Sequence, residues 1–458
     1  MTRSLDAFIG GMIGKVLGLA CLLQVCAFTA QAQFQIPNYA SNGVSYYIAG
    51  GTALVIDCDS TNSGDLIIPG TVMGVPVTGI DTWAFRGPAN LSSITLPDSV
   101  TAVNSQAFIS SRATNIFLGE GLLSIGGAAF QDCSNLGTIT IPQSVTNING
   151  DLFRFDYSLR QIQVGAGNQY YKSVDGVLFD AGQTRLIEYP CGKADASYAI
   201  PTGVNEIEPF AFEDNFHLTN ITIPDTVTTI RLAAFVGCTN LTSFYLPASV
   251  TNLEAEFVGG CYHLPAVNVA LDNPCFCSLN GVLYDRNRTN LIYYPEGSTA
   301  TSYVVPNTVT SISVALGFVR NLTALYFRGD APAAGMQYLT NNPTAVYYLP
   351  GTSGWGSTFG GDSAFGSGIA YGAVNTALWN LSNPTILDGG ANFGVRNHQL
   401  SFTVSWATNA TVVVEACTNL SNPVWQPLQT NAITTGSFQF TDPQWTNHPG
   451  RFYRVRTQ

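Results

Sequence analysis

Apolar and polar residues alternate in short runs along most of the chain, and the runs keep time. Aligned on the Phe of a recurring Ala-Phe pair, Phe85, Phe108, Phe130 and Phe153 lie 22 to 23 residues apart, and Phe212, Phe235 and Phe257 resume the series after an interruption. An Ile/Leu-Pro element follows the same beat, with Pro201, Pro224 and Pro247 each 23 residues apart. One unit reads Ile221-Thr-Ile-Pro-Asp-Thr-Val-Thr-Thr-Ile-Arg-Leu-Ala-Ala-Phe-Val-Gly-Cys-Thr-Asn-Leu241. Its opening places alternate residues on one face of a short strand. Proline ends the strand because it has no N–H to give to a ladder. Val, Ile, Ala-Phe and Leu then carry an apolar stripe around the rest of the unit. A segment of this length cannot bury that stripe alone, but stacked copies can. The pattern therefore predicts a solenoid, with neighbouring strands roughly 5 Å apart in a parallel sheet along one side.

A longer period overlies the short one. Asp175-Gly-Val-Leu-Phe179 recurs as Asn280-Gly-Val-Leu-Tyr284, Leu186-Ile-Glu-Tyr-Pro190 as Leu291-Ile-Tyr-Tyr-Pro295, and Cys133 as Cys238, all at an offset of 105 residues. A block of repeats plus an insert was duplicated whole. The inserts, near residues 168–190 and 273–295, read as β-hairpins: each has two apolar runs around a polar segment, 180–184 and 285–289. About eight units are expected between residues 66 and 330.

The unit Ile-x-Ile-Pro-x-x-Val-x-x-Ile-x-x-x-Ala-Phe-x-x-Cys-x-x-Leu resembles that of the BspA-like leucine-rich-repeat family. Two units depart from it. Leu118 starts one without proline, and Leu316-Gly317-Phe318 replaces Ala-Phe in the last. The resemblance implies a leucine-rich-repeat solenoid of short parallel strands with mostly irregular or short-helix connections. It also implies a secreted or cell-surface role in bacterial adhesion and protein binding.

The ends read differently. Residues 1–32 have the form of a signal peptide: an apolar stretch from Val16 ends at Ala30-Gln31-Ala32, a small-x-small cleavage signature. The stretch is shorter than the roughly 20 residues that span a bilayer, so cleavage near Ala32 and no transmembrane segment in the mature chain are expected. Residues 33–65 read as an N-terminal cap, with strands at 44–48 and 53–56 around Gly50-Gly51. Residues 331–379 are a Gly-rich transition. Residues 380–458 show short alternating runs that suggest a small C-terminal β-sandwich.

Composition narrows the function. Charged residues are only 10% of the chain and the formal net charge is -11, a poor match to a phosphate backbone, so no nucleic-acid partner is expected. Export permits disulfides, but Cys133, Cys238 and Cys261 share one repeat position, where a small buried apolar residue is expected, and they read as free core thiols. No metal-binding, phosphate-loop or nucleophile motif is present. No catalytic residue, cofactor or metal is predicted, and the chain is not expected to be an enzyme. His217 and His263 precede the repeat Leu at a variable position, and His398 and His448 stand alone. Glu206/Glu208 and Glu254/Glu256 fall on the connecting arc as solvated surface. The run Asp57, Asp59, Asn62, Asp65 fails the EF-hand pattern and reads as Asx turns. Trp406 and Trp425 read as core.

Strand alternation singles out one face. On it fall Ser93, Thr95, Thr138, Thr140, Gln161, Gln163, Asn220, Thr222, Ser243, Tyr245, Asn268 and Tyr326. These are uncharged hydroxyl and amide groups with two tyrosines, suited to hydrogen-bonded contact with a protein or glycan. A structural envelope component and a carbohydrate-binding accessory protein acting through the C-terminal module are the alternatives.

Overall fold

A computed structural model describes residues 38–86, 90–313, 319–333, 345–359, 374–379, 381, 384–387, 393–405, 410–433, 436–448 and 450–458. The expected signal peptide, Leu316-Gly317-Phe318, most of the Gly-rich transition and Trp406 lie outside them.

The repeats form a β-solenoid of about 12 turns. Each turn gives one strand to a parallel face. Asn90–Thr95 pairs with Asn115–Phe117, Thr138–Ile141 with Gln161–Val164, Ser197–Ala199 with Asn220–Thr222, and Phe244–Leu246 with Val267–Val269, all parallel and in register. A second parallel ladder of two-residue strands runs through Ala102–Val103, Ser124–Ile125 and Asn147–Ile148, and again through Glu206–Ile207, Thr229–Ile230 and Asn252–Leu253.

The connections are not short helices. Among the described residues the one helix is the 3-10 turn Trp445–Asn447, outside the repeats. The reason is where the arc's N–H groups go: Phe85 N donates to Ala107 O and Phe108 N to Ala129 O, both at 2.8 Å. These bonds run between turns, so the same groups are not left for an intrahelical ladder. The arc also needs a left-handed residue two places before each Phe. Trp83, Gln106, Ala128, Asp151, Phe210 and Ala233 hold φ between 52° and 64°, and Glu256, two places before Val258, holds 56°. None is glycine, so the inter-turn hydrogen bonds impose a backbone that the residues would not choose.

The core is a pile of like residues. Phe85, Phe108, Phe130 and Phe153 stack at 4.9, 5.4 and 5.4 Å between ring centroids. Tyr189, from the first insert, opens a second pile with Phe212 and Phe235 at 5.1 and 4.8 Å. Phe257 does not continue this position. Phe235 N donates to Phe257 O, as Phe108 N does to Ala129 O, so Phe257 fills the Ala place and Val258 the Phe place. Three residues past the Phe position, Ser111, Cys133, Asp156, Asn215, Cys238 and Cys261 are all buried. The thiols of Cys133, Cys238 and Cys261 donate to Phe108 O, Phe212 O and Phe235 O at 3.1 to 3.3 Å. All eight described cysteines are free.

Each insert contains the expected hairpin and one strand more. Tyr171–Val174, Val177–Asp180 and Arg185–Glu188 form an antiparallel meander, as do Phe276–Leu279, Val282–Asp285 and Asn290–Tyr293. The added turn is Asp175-Gly176, or Asn280-Gly281, with positive φ at both residues. That is the hairpin turn which Asp-Gly and Asn-Gly favour. Asn168 ties the first insert down: its amide donates to Pro142 O and Val145 O and its Oδ1 accepts from Tyr170 N and Tyr171 N. Asn273 repeats the arrangement on Pro247, Val250, Cys275 and Phe276.

The C-terminal segment holds two antiparallel sheets. Gln399–Ser405 pairs with Thr385–Leu387, Gly394–Arg396 and Ser437–Asp442, and Ala410–Cys417 pairs with Gln426–Ile433 and Phe452–Thr457. Phe402, Val404, Val412, Val414 and Phe440 are buried together.

Candidate functional site

The outward face of the parallel strands carries all twelve residues that alternation selected. Thr138 stands beside Gln161 and Thr140 beside Gln163, with Thr140 Oγ1 donating to Gln163 Oε1 at 3.1 Å. Asn220 meets Ser243 across an isolated bridge, and Ser243 Oγ donates to Asn220 Oδ1 at 2.6 Å. Thr222 lies on the same strand as Asn220, and Tyr245, 53% exposed, pairs with Asn268. Ser93 and Thr95 are half-buried beside Asn115 and Phe117. Tyr326 lies between Val304 and Tyr347.

The twelve do not form one wall. The first insert's turn comes up against the sheet, with Ile162 N donating to Gly176 O at 2.9 Å, and the second does the same from Val267 N to Gly281 O. The face is therefore cut into three patches, and Gln161 and Asn268 lie next to the cuts. Thr138 and Gln161 line a cavity of about 630 Å³ with Arg160, Asp175 and Lys193 beside the first insert.

Alternation alone missed several members of the face. Asp65 accepts from Ser93 Oγ at 2.7 Å and brings a carboxylate to the N-terminal patch. Ile67, Phe117 and Val304 are exposed apolar residues in the same row as Thr95 and Tyr326. Tyr347 stacks on Tyr326 at 4.9 Å, and Trp379 reaches Tyr326 at 4.8 Å. Tyr347 and Trp379 stand where the sequence period has decayed, yet their strands still pair in parallel, Ala324–Phe327 with Ala345–Tyr348 with Val374–Leu378.

The other candidates resolve locally. Asp59 Oδ1 accepts from Thr61 N and Thr61 Oγ1, both at 2.8 Å, an Asx turn. The paired acids are more than solvated surface: Arg231 bridges Glu206 and Glu254, and Arg185 pairs with Glu208 at 2.8 Å. His263 Nδ1 lies 2.7 Å from Thr239 O. Trp425 is half-buried and covered by the Arg454 guanidinium, 4.4 Å from its ring centroid. No group of three or more His, Cys, Asp or Glu side chains among the described residues has the arrangement of a metal site.

One cluster had no sequence signal. At the first insert, Asp151, Glu213 and Asp214 feel the Arg154 charge, and Asp156 and Glu188 lie among these acids. The Arg154–Glu213 pair is 2.9 Å apart, with side chains only 8% and 6% exposed. Glu188 fills the place where other turns have Ala84, Ala107, Ala129, Ala211 and Ala234. Burial, with Asp151, Glu213 and Asp156 nearby, pushes its carboxyl well above the ordinary range. Burial also lifts Glu213, reinforced by Asp151 and outweighing Arg154, and lifts Asp156. Asp151 and Asp214 are pushed up to about 6, again by burial and against the Arg154 charge. Raised carboxyls can mark catalysis. However, the cavities beside the two inserts and at the solenoid's end have none of these residues in their lining. The cluster is a buried joint between turns.

Residues 65–174 and 194–278 match the BspA type leucine-rich-repeat region, in six copies. No curated protein sequence matches the chain. Among solved structures it is similar to a leucine-rich repeat protein from Eubacterium ventriosum, at 18% identity over 66% of this chain and 90% of that one, with a TM-score of 0.43. The pneumococcal vaccine antigen PcpA is 20% identical over 69% and 94%, at 0.37. A leucine-rich cell surface protein from Faecalibacterium prausnitzii is 20% identical over 63% and 70%, at 0.34. No helix among the described residues is long and apolar enough to cross a membrane.

Proposed function

We propose, for a chain whose repeats belong to the BspA type of leucine-rich repeat, that it is an exported, non-catalytic contact protein acting at the surface of a bacterial cell. Its parallel-sheet face would bind a protein or glycan partner. The carrying observation is the outward row itself: Thr138, Thr140, Gln161, Gln163, Asn220, Thr222, Ser243 and Asn268 offer hydroxyls and amides, Tyr245 and Tyr326 offer aromatic surface, and none is charged. Such a row suits many short hydrogen bonds around aromatic anchors rather than electrostatic capture.

Neither alternative role gains from the structure. The Arg454 guanidinium occupies one face of Trp425, one of the two described tryptophans of the C-terminal module, and Trp445 is half-buried. A purely structural role gives no reason for Tyr245 to stand in water.

The test is retention of surface proteins and glycans by the chain from residue 33 onward, against a Tyr245→Ala/Asn220→Ala double variant. Loss of retention in the variant supports the sheet face, with an expected cost of about 2 kcal/mol or more if Tyr245 is an anchor. Equal retention by both proteins moves the contact surface elsewhere.

A further inference from the structure

Beside the second insert lies a cavity of about 560 Å³. Two arginines from one loop, Arg286 and Arg288, enter its wall, together with Ser278, Asn287 and Thr308. No carboxylate lines it. We propose that it is an oxyanion site that takes the acidic group of a polysaccharide, a uronate carboxylate or a sulfate ester. The site is independent of the sheet-face reading, because none of the twelve face residues lines it.

Seven other basic side chains, Arg154, Arg185, Lys193, Arg231, Arg451, Arg454 and Arg456, are committed to carboxylates. Arg286 and Arg288 are exposed and have no carboxylate partner among the described residues; Arg112 and Arg160 share that state singly, whereas these two stand in one cavity wall. In a chain of net charge -11, two unpaired guanidiniums in one hollow make a local exception to the prevailing field.

At an offset of 105 residues Arg286 replaces Ala181 and Arg288 replaces Gln183. The backbone did not change with them: φ is 56° at Gln183 and 57° at Arg288. Asp285 receives Asn290 N and Thr289 Oγ1, as Asp180 receives Arg185 N and Thr184 Oγ1. The fold of the insert is thus satisfied without the arginines.

Thr308 Oγ1 donates to Arg288 O at 2.8 Å and the Cys277 thiol donates to Asp285 O at 3.3 Å, which fixes the loop backbone, while Arg286 Nη1 donates to Leu271 O at 3.1 Å, which orients that guanidinium. The loop is pinned on both sides, so little ordering is needed on binding. Guanidinium forks match planar carboxylate and tetrahedral sulfate oxygens. Ser278, Asn287 and Thr308 give an uncharged hydrogen-bonding edge, and Val269, Leu271 and Pro306 give an apolar wall. Together they suit the hydroxyl rim and C–H face of a sugar ring.

The test uses the chain from residue 33 and an Arg286→Ala/Arg288→Gln variant, which installs the first copy's own residues and so should fold. Binding of polygalacturonate, heparin, neutral dextran and poly-glutamate is measured at low and high salt. The expected result is binding of the two acidic polysaccharides and not of dextran, weakened by salt and reduced at least about tenfold in the variant. The proposal is overturned if neither acidic polysaccharide binds, if the variant binds them as tightly, or if poly-glutamate binds as well as they do.

Discussion

At the first insert Glu188 and Asp156 are sealed inside the stack; 105 residues on, the same places hold Tyr293 and Cys261. At the first insert the loop tip is neutral, with Ala181 and Gln183; at the second it carries Arg286 and Arg288. The second ladder changes in the same sense, from Glu206 and Glu208 to Ser311 and Ser313. Against this exchange the backbone stays fixed. Leu178↔Glu188 and Phe179↔Leu186 pair around a bulge, and Leu283↔Tyr293 and Tyr284↔Leu291 pair around the same bulge. The lesson concerns what specifies the turn. Inter-turn backbone bonds, the Asn anchor and the Asp-capped loop hold the shape, so ionisable groups can move between inside and outside without changing it. The second copy holds two acids of this kind: Glu256 stands where the first has Asp151, and Glu296 where the first has Cys191; burial raises both, Glu296 to about 7.

The comparison breaks first at Arg154, which the second copy lacks: Gly259 is in its place. Arg154→Met removes the cation that faces Glu213 and leaves Asp151 and Asp214, which ionise below neutral pH, without its compensating charge. The expected loss at neutral pH is about 3–5 kcal/mol, as for one-sided removal of a buried ion pair. Urea unfolding, with hydrogen exchange to localise the change to the first insert, would measure it. A loss below about 1 kcal/mol would mean that Arg154 does not hold the joint together.

Much of this molecule was legible and the joint was not, for one physical reason. Residues 23 apart are stacked neighbours, so any feature that repeats at that spacing can be read along the chain. The Phe pile, the buried cysteine position and the outward row all repeat in this way. So do Arg185–Glu208 and Arg231–Glu254, ion pairs at a spacing of 23 that the same reading could have found. Arg154 and Glu213 are 59 residues apart with the insert between them, and no period brings them together. The left-handed places were hidden differently: they are filled by Trp, Gln, Ala, Asp, Phe and Glu, so no glycine or asparagine marks them. Asp156 and Glu188 interrupt an apolar pattern at single positions, which looks like ordinary drift until their neighbours are known.

The second test is pH. The carboxyls of Asp151 and Asp214 rise to about 6 in the folded chain, whereas an unfolded Asp titrates near ~3.9. A carboxyl with a raised folded value binds more protons folded than unfolded. Its contribution is present in full below about pH 4 and is lost as pH rises through about 6. Glu188, Glu213 and Asp156 shift in the same direction and extend the loss to higher pH. Exchange protection around the first insert should therefore be greater at about pH 5 than at about pH 8, with a smaller change around the second, where the acids that burial raises are Glu256 and Glu296. Glu188→Gln keeps the shape and removes one ionisation. It should recover on the order of 1 kcal/mol at the higher pH and nothing at the lower one. Equal pH slopes in the two copies would show that the buried acids are already compensated.

The smallest expected effect lies at Cys261, the second copy's counterpart of Asp156. This place already accepts Ser111, Asp156, Asn215 and three cysteines, each buried. What it requires is a compact side chain that can meet the polar backbone around it. The Cys261 thiol does this by donating to Phe235 O at 3.3 Å, and a serine hydroxyl is a stronger donor to the same carbonyl. Cys261→Ser exchanges some apolar burial for that hydrogen bond, so the two changes largely cancel. The urea midpoint should correspond to a loss of no more than about 1 kcal/mol. A loss several times larger would mean that sulfur's size sets the fit, and that Ser111 is tolerated only because its own turn has closed around it.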